Sequence, residues 1–204
     1  MNLGGIRSLV QFRLNDLGSY NIAPQMIDTF INEGLRKIAF ETLLLEDTDS
    51  SLTYSSANDG FAAPTDFIKV KSLHWLDPTS SPVAIPQVST EKIYSLRRDW
   101  LLLNEEAGTY LTPLGYAIHN NYIILDSTTE TSPTLYYYKY DTALSADANS
   151  PSIDSEFHSS LADYAMYKII MDTNALLRWR DELRQMNASK FKQGKTGRIR
   201  YVGL

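Results

Sequence analysis

Prolines and tyrosines are unevenly spread along this chain, and their placement constrains its fold more than any motif. Seven of the eight prolines, all but Pro24, and nine of the thirteen tyrosines fall between Glu46 and Pro151. Proline removes an amide donor and clashes with the preceding helical turn, while aromatic side chains suit a pleated, half-buried surface. The interval therefore excludes long helices and predicts short strands joined by defined turns.

Both flanks carry the opposite signature. Ile6, Leu9, Val10, Leu14 and Leu17 recur at the spacing of a one-faced helix over residues 3–17, with Gly18 suited to the left-handed turn that ends it. Pro24 fits a first helical position, where its missing amide would have no partner anyway, and Ile27, Phe30, Ile31, Leu35, Ile38 and Leu45 carry a second helix to about residue 45. After a polar linker, Asp154 reads as a cap. Phe157, Leu161, Tyr164, Ala165 and Ile169 then form a stripe that Leu176, Trp179, Leu183 and Met186 extend. Taken as one helix over residues 155–190 this element is roughly 50 Å long, so part of it is predicted to project beyond the body.

Within the β interval, strands are predicted at 51–55, 67–76, 116–119, 122–126 and 135–140, with a hairpin turn at His119-Asn120-Asn121 because asparagine tolerates the left-handed region. A short helix is placed at 89–98, capped by Ser89 or Thr90. Strand alternation sets Tyr136, Tyr138 and Tyr140 on one face and Tyr137 on the other, and reads as a sheet packed on its own core rather than a base-stacking surface. The resulting fold class is α+β: N- and C-terminal helices forming an α-helical bundle, an inserted small β-sheet subdomain, and an extended C-terminal tail. The expected domains are 1–46 (helical hairpin), 47–151 (inserted β-rich subdomain), 152–193 (long helix completing the bundle) and 194–204 (flexible C-terminal anchor).

With 204 residues, of which 43% are hydrophobic, the chain can bury a core without staples. It has no cysteine, which excludes disulfides, thiolate metal sites and cysteine catalysis. No apolar run approaches the roughly 18 residues a membrane span needs and no signal peptide is visible, so the expectation is a protein made or assembled in a cytoplasm. Charge is divided. Residues 178–204 hold eight basic residues against two acids, a net of +6, which leaves −11 on the other 177 residues of a chain whose total is −5. A basic end on an acidic body suits an acidic partner: nucleic acid, another protein, or a second copy of the same chain. The last residues, Arg198-Ile199-Arg200-Tyr201-Val202, alternate as a strand with no local mate, which suits addition to a sheet edge in a neighbouring chain.

No catalytic constellation emerges, and neither a metal nor another cofactor is implied. His74, His119 and His158 lack metal-ligand spacing and read as structural or surface residues. Glu105–Glu106 and the run Glu46, Asp47, Asp49 offer carboxylates, which in polar loops are solvated rather than tuned. Gln193-Gly194-Lys195-Thr196-Gly197 resembles a phosphate loop, but Ser189 stands where the earlier glycine belongs and no strand precedes it, so nucleotide binding is rejected. Contact with DNA phosphates through the basic end is a further option, tempered by Asp181 and Glu182 beside Arg178, Arg180 and Arg184.

Four stretches together resemble the head-to-tail adaptor proteins of tailed bacteriophages. They are Phe30-Ile-Asn-Glu-Gly-Leu-Arg-Lys-Ile-Ala39 in the N-terminal hairpin, the Ala63-Pro-Thr-Asp-Phe67 turn into a strand, Tyr116-Ala-Ile-His-Asn-Asn-Tyr-Ile-Ile-Leu125, and the strand-to-helix passage from Tyr137 to Ala165. The resemblance implies a non-enzymatic virion protein whose helical bundle carries an inserted β domain. It implies a homo-oligomeric ring, commonly of twelve copies, beneath the capsid portal protein, with a tail or stopper protein on the other side and DNA passing through the channel. Arg198, Ile199, Arg200, Tyr201 and Val202 would match the segment that reaches the portal or a neighbouring subunit, and Arg178, Arg180 and Arg184 are candidate ring contacts. The alternatives are another ring-forming connector, such as a tail terminator or stopper, and a nucleic-acid-binding protein using the basic C-terminus.

Overall fold

The structure, a computed structural model, describes residues 1–16, 22–76, 81–97, 113–126 and 132–196. In chain order its elements are α1 (Leu3–Asp16), α2 (Pro24–Thr42), β1 (Glu46–Asp49), β2 (Tyr54–Ser55), β3 (Gly60–Ala62), β4 (Phe67–Leu76) and β5 (Pro82–Ile85). There follow α3 (90–97), β6 (Tyr116–His119), β7 (Tyr122–Leu125), β8 (Thr134–Lys139), a 3-10 turn (Ser155–Phe157), α4 (His158–Ile170) and α5 (Thr173–Thr196). The fold is α+β, and it divides into two units, Met1–Leu45 with Lys139–Leu204, and Glu46–Tyr138.

In the first unit α4 is the central helix. Seven consecutive residues, 160–166, are buried, and α4 packs against α1, α2 and α5. Each outer helix contributes one apolar stripe: Leu3, Ile6, Val10 and Leu14 from α1; Ile27, Ile31, Leu35 and Ile38 from α2; Ala175, Trp179, Leu183 and Met186 from α5. Gly34 lets α2 approach α4, since a Cβ there would lie 2.9 Å from Cδ1 of Tyr164. Segment 139–154, placed by sequence with the β interval, packs with the helices. Asn32 holds it by donating to the Leu144 carbonyl at 3.0 Å and accepting its amide at 2.7 Å, while carbonyls of Asn149 and Asp147 accept the first-turn amides of Leu3 and Gly4.

Three helical expectations are corrected. Helix α2 ends at Thr42, not near 45, because Leu43 turns left-handed (φ 50°) and returns its amide to the Ala39 carbonyl. Asp154 does occupy the cap position, but its side chain caps nothing; its carbonyl accepts the Phe157 amide instead. The single helix over 155–190 is two helices. Met171 adopts φ 55° and closes α4, and Asp172 starts α5 by accepting the Asn174 amide at 2.9 Å. Helix α5 therefore folds back on α4, with the rings of Tyr164 and Trp179 5.0 Å apart, instead of continuing outward. It runs through Thr196, so residues 194–196, expected to be flexible, are helical.

The second unit stacks two four-stranded antiparallel sheets, β1-β8-β4-β5 and β2-β3-β7-β6. Leu73, Trp75, Leu135 and Tyr137 from the first meet Phe61, Ile123 and Leu125 from the second. The second sheet is buried on its other face too, where Ala117 and Ile124 pack on Ile93 of α3. The Ser89 hydroxyl caps that helix, accepting the Lys92 amide at 3.2 Å. Asn120 and Asn121 both have positive φ, 48° and 63°, as a two-residue hairpin turn between β6 and β7 requires. The strand expected at 51–55 narrows to Tyr54–Ser55, while β1, β3 and β5 are additional. In β8 the core residues are Leu135 and Tyr137; Tyr136 is exposed and Tyr138 half-buried, so the face holding most of the tyrosines is not the core face.

Candidate functional site

The strongest ionic cluster joins three helices. Asp163 of α4 has a side chain only 3% exposed, yet its Oδ1 accepts from Arg13 Nη1 of α1 at 2.9 Å and from Arg178 of α5 through Nε at 2.8 Å and Nη2 at 2.7 Å. A buried carboxylate needs such charge-assisted donors to offset its lost hydration. Arg178 thus faces inward within its own unit. Asp163 was not singled out from the sequence: an acid inside an apolar stripe was its only signal, and reading α4 and α5 as one helix hid its partner fifteen residues on.

The other two candidate arginines lie on the outer side of α5. Arg184 is 2.9 Å from Asp181, but their side chains are 79% and 64% exposed, so the pair contributes little to stability. Arg180 is exposed and no ion pair is formed by it among the described residues; Leu177, also exposed, lies beside it. Arg198, Ile199, Arg200, Tyr201 and Val202 lie outside the described residues, as do Glu105 and Glu106.

Next to the ionic cluster, Glu182 has one carboxylate oxygen, Oε2, buried without a hydrogen-bond partner. Burial holds its pKa above the usual carboxylate range, the charge of Asp163 adds to this, and Arg13, Ser160 and Arg178 partly oppose it. It lines a cleft of about 470 Å³ between the 3-10 turn and α5, together with Glu156, Phe157, Gln185, Ala188 and Ser189. The lining carries two acids and no base.

A second polar bridge joins α2 to α4, where Glu33 Oε1 accepts from the Tyr164 hydroxyl at 2.6 Å and Lys168 Nζ at 2.9 Å. Those donors, Tyr164 foremost, hold Glu33 below its ordinary pKa. Arg7 clasps Asp28 through Nε and Nη2, both at 2.7 Å, and reaches Asp147 at 2.9 Å, which fixes α1 to α2 and to the following linker. In the β unit Asp126 is fully buried and accepts the Leu114 and Gly115 amides; burial raises its pKa and those amides counter the rise.

The histidines serve local contacts. His158 Nδ1 accepts from the terminal amino group at 2.6 Å and Nε2 faces the Ile153 carbonyl at 2.9 Å; His74 lies 3.1 Å from the Ser72 hydroxyl and edge-on to Tyr136; His119 meets Asn120. Among the described residues no group of three or more His, Asp or Glu side chains is arranged to hold a metal, and no helix is long and apolar enough to cross a membrane. What these residues offer is surface for binding: an acidic cleft, a mixed basic and apolar helix face, and sheet edges.

A search of curated proteins gives no significant match. The model of the SU10 adaptor protein family matches residues 1–201, which takes in both units and α5. A match over so much of the chain agrees with the order of helical hairpin, β insertion and paired C-terminal helices, and the protein belongs to the SU10 adaptor protein family of bacteriophage structural proteins.

Proposed function

We propose that the protein is a head-to-tail adaptor that forms a ring, commonly of twelve copies, beneath the capsid portal, lengthens the DNA channel and receives a tail or stopper protein on its far side. The observation that carries this reading is the family match over residues 1–201, which makes the whole chain, not one subdomain, the adaptor unit. It acts by binding and does no chemistry. A ring repeats one heterologous interface, so one surface of each copy must complement a different surface of the next. The division of charge, +6 on residues 178–204 and −11 elsewhere, provides that polarity.

In this reading Arg180 and Arg184 supply ring contacts from the outer side of α5, while Arg178, turned inward to Asp163, positions that helix. Residues 198–202 anchor the copy to the portal or to its neighbour. The inward use of Arg178 and the pairing of Arg184 with Asp181 leave fewer cations for phosphate, which favours the adaptor over a DNA-binding protein.

Solution mass by light scattering, of the protein alone and mixed with the portal ring of the same virus, tests the proposal. A fixed symmetric ratio with the portal is expected. Failure to bind at moderate salt, together with binding to DNA that weakens steeply as salt rises, would replace the adaptor reading with the nucleic-acid one.

A further inference from the structure

Four strands end the two sheets, and they differ in what covers them. Strand β6 is occupied along its edge by 86–88: the Val88 amide donates to the Tyr116 carbonyl at 2.8 Å, and the Tyr116 amide to the Pro86 carbonyl at 3.0 Å. Strand β2 has only two residues, and β5 is bounded by Pro82 and Pro86, which have no amide to donate. That leaves β1, Glu46-Asp47-Thr48-Asp49, four residues long, three of them exposed, and paired on one side with β8.

The two faces of β1 carry different chemistry. Asp47 and Asp49 stand opposite Tyr137 and Leu135, on the side of the sheet that turns inward. They join Asp66, which accepts the Tyr137 hydroxyl at 3.1 Å, so three carboxylates surround one phenol. Burial foremost, then the charge of Asp66 and its hydrogen bond, with Asp47 and Asp49 adding, push that phenol above the usual tyrosine range. Glu46 and Thr48 stand opposite Tyr138 and Tyr136 on the outer face, where Glu46 is paired with Lys71 and Tyr136 is exposed.

We infer that β1 of one copy accepts residues 198–202 of a second copy as an added strand, with Arg198 and Arg200 on the Asp47/Asp49 side and Ile199 and Tyr201 beside Thr48 and Tyr136. Charge complementarity selects this occupant: its arginines alternate with the same period of two as the aspartates, and cross-strand pairs of opposite charge stabilise a sheet. The other face is excluded for the arginines because its one acid, Glu46, already holds Lys71. Main-chain hydrogen bonds along the edge supply affinity and the side-chain alternation fixes the face. Eight residues follow Thr196, a reach of roughly 27 Å when extended, enough to cross to an adjacent copy. The inference rests on the ring proposed above and makes the segment a link between neighbours.

The absence of cysteine makes the test clean. Full-length Thr48→Cys is mixed with full-length Ile199→Cys, and in a second pairing with Tyr201→Cys, in the presence of the portal ring, then oxidised. A covalent species of twice the chain mass is expected in at least one mixture, and neither variant alone should give it. Asp47→Arg with Asp49→Arg in the first partner should lower the yield on the order of ten-fold, and Arg198→Asp with Arg200→Asp in the second should restore it. Light scattering on the same samples reads assembly separately. Assembly with the portal but no cross-link would overturn the added strand and leave the ring standing; no assembly would remove both. A chain carrying both cysteines that closes on itself as a monomer would show an intrachain contact and overturn the inference.

Discussion

The Tyr164 hydroxyl donates a 2.6 Å hydrogen bond to Oε1 of Glu33, across 131 residues of sequence and from the central helix to α2. The same ring lies against Trp179 and fills the space Gly34 leaves, so one side chain joins α2, α4 and α5. Tyr164→Phe should keep the packing and remove the hydrogen bond, lowering stability by about 1 kcal/mol in urea denaturation. Because Glu33 has a lowered folded pKa, the unfolded chain binds more protons in the window below its ordinary value of about 4.3. The contribution of Glu33 is therefore present above that value and lost as pH falls through the folded one, and the wild-type advantage over Glu33→Gln should vanish at acid pH.

Gly34→Ala tests close helix packing against helix propensity. Alanine would favour an exposed helix by about 1 kcal/mol, but here the new methyl meets the Tyr164 ring at 2.9 Å, well inside contact distance. Overpacking should dominate and give a net loss of about 1–3 kcal/mol, read from the denaturation midpoint.

Arg13→Ala and Arg178→Ala should each cost about 1.5 kcal/mol, since Asp163 keeps one cation in either variant. The double variant leaves a carboxylate 3% exposed with neither arginine, and should lose about 4–5 kcal/mol, more than the sum. A double-mutant cycle measures the excess.

Glu182 has the opposite sign from Glu33. Its raised folded pKa means that the folded chain binds more protons than the unfolded one between the two values, so stability falls as pH rises through that window. Glu182→Gln should therefore be more stable than the wild type at neutral pH, with the difference closing below the ordinary carboxylate pKa. Thermal melts at pH 4 and pH 7 decide it.

Met171 ends α4 at φ 55° with its side chain 69% exposed. Glycine adopts that backbone without the Cβ penalty, so Met171→Gly should raise stability by about 0.5–1 kcal/mol. A loss instead would mean that the exposed methionine makes a stabilising contact.

Much of the fold was legible because its signals are local. Phe67–Leu76 and Tyr116–His119 match the predicted strands in both ends, since β-branched and aromatic runs between turn residues report a pleated surface directly. Strand β1 was invisible because Glu46-Asp47-Thr48-Asp49 has neither alternation nor apolar content; it forms only because β8 offers a ladder. The break at Met171 was equally hidden, as no glycine or proline marks it and the apolar stripe continues in phase on both sides. The candidate arginines were located correctly on a helix, but their separation into inward Arg178 and outward Arg180 and Arg184 depended on a partner in α4.

The sequence by itself determined the α+β class, the helical flanks, the β interval and the division of charge, because periodicity, proline placement and net charge are properties of neighbouring residues. Tertiary structure alone decided that α5 folds back on α4, that Asp163 gathers Arg13 and Arg178, and that β1 is an open acidic edge. Each of these depends on groups far apart in sequence meeting in space, where burial sets which charges must be paired.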